Sequence, residues 1–210
     1  MRFKLKRLGG FELAKYLMQL VLDLIKYGDT QMKSAVEQLS TYKSVHLNPS
    51  NIKTHFFGVP LIIWSAFVGL NLIPIDFAVF DDPVIHFNVA TVFALVVLGY
   101  YFMLHAKLAF GLTLFIIPVL YTSSVVAQYA GAGYLAIATF VVGWIIQFIG
   151  HKYEKAKPAF VDDLNQLLIG PFFLMAEVYF KLGFEKELLA EITPIARDKR
   201  RALEAAKKAK

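Results

Sequence analysis

The chain contains no cysteine. Disulfides, thiolate nucleophiles, haem–thiolate ligation and iron–sulfur clusters are therefore excluded. Charge is scarce as well. Only 18% of the 210 residues are charged, against about a quarter in a soluble domain. Charge is missing altogether from 56–75, 83–104 and 108–150. There is no Gly-rich phosphate loop, no GxSxG elbow and no HExxH, so the common phosphate, serine-hydrolase and metalloprotease signatures are absent. The multi-histidine boxes of a di-iron desaturase are missing too, since the chain has five histidines in all.

What remains is apolar. Hydrophobic residues make up 57%, and the mean hydropathy is +0.54. A helix needs about 20 apolar residues to cross the hydrocarbon core. The first two uncharged runs supply one crossing each. The third is long enough for two, broken at Gly131-Ala132-Gly133. Transmembrane helices are expected near 56–75, 84–104, 108–128 and 134–150. A soluble helix would carry a polar stripe, and a barrel strand would alternate. The expected fold is an all-α integral membrane bundle of four transmembrane helices.

Flanking segments differ in character. In 11–27, Glu12, Lys15, Gln19, Asp23 and Lys26 recur at helical spacing, which predicts an N-terminal amphipathic helix at the interface. The same charges interrupt what would be the core of a cleavable signal. A more polar helix is expected from about Thr30 to His46. Asn48-Pro49 then reads as a helix start, with Asn48 the cap. After the last crossing, LLIGPFFLMAEVYF is short and divided by Gly170-Pro171, which predicts an interfacial or re-entrant element. From Lys181 the chain reads as charged and solvated. The expected division is 1–30, 31–180 and 181–210: amphipathic segment, membrane domain and basic cytoplasmic tail.

The net charge of +6 reads as membrane orientation. Lys and Arg flank the apolar part, and no aromatic–basic interleaving points to nucleic acid. The loop 76–83 holds three Asp and no Lys or Arg, whereas Lys152, Lys155 and Lys157 follow the last crossing. Counting by loop puts both termini, 105–107 and the stretch from 151 in the cytoplasm. The ending Lys207-Lys208-Ala209-Lys210 has the form of an endoplasmic-reticulum retrieval signal; a bacterial inner membrane is the alternative.

This topology carries a chemical consequence. His46, His55, His105 and His151 all fall at cytoplasmic helix ends, and His86 at the outer end of the second helix. Imidazole is the commonest metal-binding side chain. His46, His55 and His151 are the candidate ligands, and histidines with or without a carboxylate suit Fe(II), Mn or Zn better than Mg or Ca. Gln147, His151 and Glu154 share one helical face, as do Asn51 and His55. Glu154 and Asn51 are candidate catalytic groups. Asn51 also reads as a cap residue, and Glu154 as a partner of Lys155 or Lys157. His86 reads best as an interfacial histidine, and His105 either way.

The pattern Tyr42-x-x-x-His46-x-x-x-x-Asn51-x-x-x-His55-x-x-Gly58-x-Pro60 resembles the start of a known family. Gln147-x-x-Gly150-His151-x-x-x-Lys155-x-x-Pro158-Ala159, then Gln166 and Gly170-Pro171, resemble its end. The family is the small integral-membrane 2-hydroxy fatty acid dioxygenases, and the resemblance covers about residues 30–175. It implies Fe(II)-dependent α-oxidation, in which a 2-hydroxy fatty acid and O2 give the acid one carbon shorter plus CO2. It assigns the ligand role to His46, His55 and His151 and a role to Glu154. Many relatives carry an acidic residue near 105, where this chain has His105. Lys53, Lys152 and Lys155 are candidates for attracting the substrate carboxylate. The alternatives are a zinc-dependent membrane lipid hydrolase and a non-enzymatic transporter or scaffold. A transporter would place polar groups at mid-membrane, where this chain offers only Ser65, Thr91, Ser123 and Ser124.

Overall fold

The computed structural model describes residues 33–81, 84–161 and 163–209. The expected amphipathic helix over 11–27 and the N-terminal basic cluster lie outside the described residues. Among the described residues there are seven α-helices and one two-stranded hairpin. Helix α1, Ala35–Ser44, begins where the Ser34 hydroxyl accepts from the Glu37 N–H. Helix α2, Pro49–Asn71, starts as its sequence predicts, with Asn48 accepting from the Ser50 N–H and Pro49 in the first turn.

The hairpin pairs β1, Asp76–Asp81, with β2, Val84–Asn88, antiparallel. Helix α3 therefore begins later than the expected residue 84 and runs Val89–Leu104, capped by Asn88. Val84 and Ile85 are β-branched and favour the strand. The 16 residues of α3 span about 24 Å. That is short of a full hydrocarbon core, though α3 stays wholly uncharged.

Helix α4 runs Ala106–Val126 and α5 runs Ala132–Glu154. The break between them falls at Gly131, whose φ of +87° favours glycine. Among the described residues α2, α4 and α5 are long and apolar enough to cross a membrane. Their outer faces carry Phe110, Leu114, Ile117, Ile137, Phe140 and Ile145 exposed. Such a surface suits lipid and is unfavourable in water.

Helices α2 and α5 form the most extensive packing pair. Small residues let the backbones approach, as membrane helices require. A Cβ on Gly58 would lie 2.9 Å from the Gly143 carbonyl, and one on Gly143 would lie 3.0 Å from that of Gly58. The pair is antiparallel, so the start of α2 meets the end of α5.

Two readings of the sequence need correction. Gly170-Pro171 does not divide its segment: α6 is continuous over Gln166–Lys181. Pro171 is the sixth residue of the helix and costs it one N–H bond, but Ile169, Phe172, Phe173 and Ala176 are fully buried around it and hold the helix together. Nor is the chain after Lys181 simply solvated. Lys186–Lys208 forms α7, which packs on α1. Leu188, Ile192 and Ala196 recur every fourth residue and are buried, which seats one face of this helix on the bundle.

Candidate metal centre

The junction of α1, α2 and α5 gathers His46, His55 and His151. One ligand atom from each lies within 4.8 Å of the others. Their ring centroids are 4.6, 5.0 and 5.2 Å apart. His46 follows α1, His55 sits on the second turn of α2, and His151 on the last turn of α5. The His46 ring stacks flat on Tyr42 with 4.0 Å between centroids, and Gly170 leaves room for the Tyr42 hydroxyl. All three histidines are at least nine-tenths buried.

Hydrogen bonds fix which nitrogens are bare. His46 Nδ1 lies 2.7 Å from the Tyr42 carbonyl, and His55 Nδ1 lies 2.9 Å from the Asn51 carbonyl. Carbonyls only accept, so in both rings Nδ1 carries the hydrogen. Each Nε2 of a neutral ring then presents a lone pair, and the two Nε2 atoms are 3.1 Å apart. Burial, and then the neighbouring His55, hold His46 well below the ordinary imidazole range, so it is neutral at pH 7. Among the described residues His151 Nδ1 is also buried without a partner.

Facing lone pairs on buried rings repel unless a cation joins them. A metal ion fits. Two nitrogens about 2.1 Å from one ion, about 90 to 110° apart, lie about 3.0 to 3.4 Å from each other. The donor set could hold Fe(II), Mn or Zn, with positions left open for small molecules.

Glu154 is buried at the same junction but is not in the cluster of ligand atoms. Its Oε2 accepts from the Asn48 N–H at 2.8 Å and the Asn51 amide at 3.2 Å. Its Oε1 accepts from Arg200 at 3.2 Å. The Asn51 amide therefore ties Glu154 to the residue whose carbonyl orients His55. Arg200 also donates to the Glu154 carbonyl, closing the end of α5.

The other sequence candidates lie elsewhere. Lys53, Lys152 and Lys155 are exposed, and none lines the cleft beside the histidines. His105 caps α4 and approaches Glu185 at 3.4 Å, beside the Lys107–Glu185 pair. His86 lies in β2 of the hairpin, before α3, and not at the junction.

Sequence reasoning missed Arg200. A signal existed: the buried series Leu188, Ile192, Ala196 continues at the same spacing to Arg200, a cation where an apolar residue is due. It also left Gln147 without a role. That side chain lines the cleft with Trp144, Phe160, Leu167, Gln166 and the three histidines.

The relatives of this chain bear on the same residues. Residues 32–182 match the family described as 2-hydroxy-palmitic acid dioxygenase Mpo1-like. The chain belongs to that family. It is 31% identical over 158 residues to the 2-hydroxy-palmitic acid dioxygenase MPO1 of Saccharomyces cerevisiae, covering 74% of this chain and 85% of the yeast protein. The matched segment runs from before α1 to the end of α6, and so includes all three histidines and Glu154. No solved structure matches the chain.

Proposed function

We propose that this protein is an iron(II)-dependent membrane dioxygenase that shortens long-chain 2-hydroxy fatty acids by one carbon. The net reaction is R–CH(OH)–COOH + O2 → R–COOH + CO2 + H2O. The hydroxy acid is oxidised, O2 is reduced, and the C1–C2 bond breaks. One observation carries the reading: three buried histidines with bare nitrogens end an apolar cleft, in a chain of this family.

His46, His55 and His151 would hold the ion. Bound there, Fe(II) would supply redox activation of O2 and a Lewis-acid anchor for the hydroxyl and carboxylate oxygens. The protein supplies orientation. The Tyr42 and Asn51 carbonyls hold the His46 and His55 rings in one tautomer. Glu154, through Asn51, steadies the turn that carries His55. Val59, Ile62, Trp144, Phe160 and Leu167 wall the cleft; they exclude water and accept the first acyl carbons. A second apolar groove shares Val59, Ile63 and Pro171 with the cleft and continues along Phe56, Phe115, Leu174 and Met175. It offers a path for the rest of the chain.

We place the site at the cytoplasmic face of a four-crossing bundle, with α3 as the fourth crossing. The membrane is the endoplasmic reticulum in a eukaryote and the inner membrane in a bacterium. Purified protein loaded with Fe(II) in lipid should take up O2 with 2-hydroxyhexadecanoate and release pentadecanoate. Iron-loaded protein that takes up no O2 with any 2-hydroxy acid would refute the assignment. Zinc in place of iron would favour the hydrolase.

A further inference from the structure

We infer that Gln147 is the residue that reads the 2-hydroxy acid head of the substrate, an assignment that rests on the proposed function. Gln147 is on α5, one turn before His151, and is 5% exposed. Its amide lies over Gly58 of α2, where a Cβ would come within 2.7 Å of Nε2. Among the described residues neither Nε2 nor Oε1 has a hydrogen-bond partner. A buried amide normally satisfies both ends, and leaving them unmet is costly. This one lines the cleft that the histidines end.

A 2-hydroxy carboxylate is the complement of a free primary amide. Nε2 donates to a carboxylate oxygen. Oε1 accepts the hydroxyl proton, which leaves the hydroxyl oxygen's lone pairs free for a metal. Both amide ends are unpartnered, so either assignment of O and N serves. The exposed Lys53, Lys152 and Lys155 are not needed to hold the head.

The test is a binding cycle on iron-loaded protein in lipid nanodiscs under nitrogen, where no turnover occurs. Trp144 lines the same cleft and is the reporter, with Trp64→Phe removing the other tryptophan. The ligands are 2-hydroxyhexadecanoate and 2-methoxyhexadecanoate, which lacks the hydroxyl proton. Protein with Gln147 intact should prefer the hydroxy acid about tenfold, the weight of one hydrogen bond. Gln147→Leu should shrink that preference to within about twofold at unchanged iron content. Gln147→Met, closer in shape, repeats the measurement if the leucine variant does not fold. Gln147→Glu should bind both acids more weakly, because two carboxylates then face each other. An equal preference in the intact and Gln147→Leu proteins would overturn the assignment and leave the amide a water-binding group. Absence of O2 uptake alongside an intact cycle would refute the oxidation chemistry and leave Gln147 in place. Uptake alongside a flat cycle would do the reverse.

Discussion

Arg200 of α7 reaches Glu154 on the last turn of α5 with 3.2 Å between Nη1 and Oε1. A helix beyond the family-matched segment thus touches the carboxylate that braces the histidine cluster. Both partners are largely shielded, with 16% and 2% of their side chains exposed. Removing one member of such a pair leaves an uncompensated charge.

Arg200→Met should therefore destabilise the protein by about 3 kcal/mol. Part of that loss comes from the end of α5, whose Glu154 carbonyl loses its Arg200 donor. Thermal unfolding in detergent measures it. Arg201→Met, at an exposed pair with Asp198, should change stability by less than about 0.5 kcal/mol. Equal effects of the two would show that the Arg200 contact is not what holds α7 to the site.

Glu154→Gln separates bracing from ligation. The amide oxygen still accepts from Asn48 or Asn51, so the turn that carries His55 persists. Iron content should stay near that of the unaltered protein while turnover falls about tenfold, the scale of a lost outer-shell partner. Parallel loss of iron and activity would make Glu154 a ligand.

For the histidines the expectation is sharper. His46→Ala, His55→Ala and His151→Ala should each lower bound metal at least about tenfold. His105→Ala should leave metal content unchanged, because that ring is a helix cap beside Glu185. His86→Ala should do the same. Metal analysis of the purified variants decides. Loss with His86→Ala and retention with His151→Ala would place the site elsewhere.

Much of this site was legible in the sequence, because its parts are signalled locally. Uncharged runs mark the long helices, Asn48-Pro49 marks the start of α2, and loop charges put four histidines at one end, the three of the cluster and His105. The hairpin was hidden, since Val84 to Asn88 belongs to an uncharged run that reads equally as helix. Gly170-Pro171 reads as a break, and only burial in the bundle explains the continuous α6. Arg200 was hidden for another reason. Its partner lies 46 residues away, and only the packing of α7 brings the two together.

The glycines of the α2–α5 seam give a further prediction. A Cβ on Gly150 would overlap the Thr54 hydroxyl and lie 2.5 Å from Asn51 Oδ1. Thr54 is itself held by a 2.7 Å bond to the Asn51 carbonyl and the Asn51 amide is bonded to Glu154, so making room disturbs hydrogen bonds around the turn that orients His55. Gly150→Ala should cost about 1–3 kcal/mol and lower metal content. Gly99 has open space around it, and Gly99→Ala should be neutral or stabilise by up to about 1 kcal/mol. A neutral Gly150→Ala would mean that the seam is looser than its geometry.

Topology can be tested cleanly because the chain lacks cysteine. Asp81 lies in the hairpin that follows α2, and Tyr153 is exposed on the last turn of α5. Helix α2 starts beside the end of α5, so a crossing α2 puts the hairpin on the opposite face. The charges agree: Lys152 is on the last turn of α5 and Lys155 and Lys157 follow it, whereas Asp76 and Asp81 bound β1. Positive flanks stay cytoplasmic. Single cysteines at 81 and 153, probed with an impermeant maleimide on sealed vesicles, should label from opposite sides, with 153 cytoplasmic. Labelling of both from one side would mean that α2 and α5 do not cross as an antiparallel pair, and would overturn the gathering of the three histidines at one membrane face.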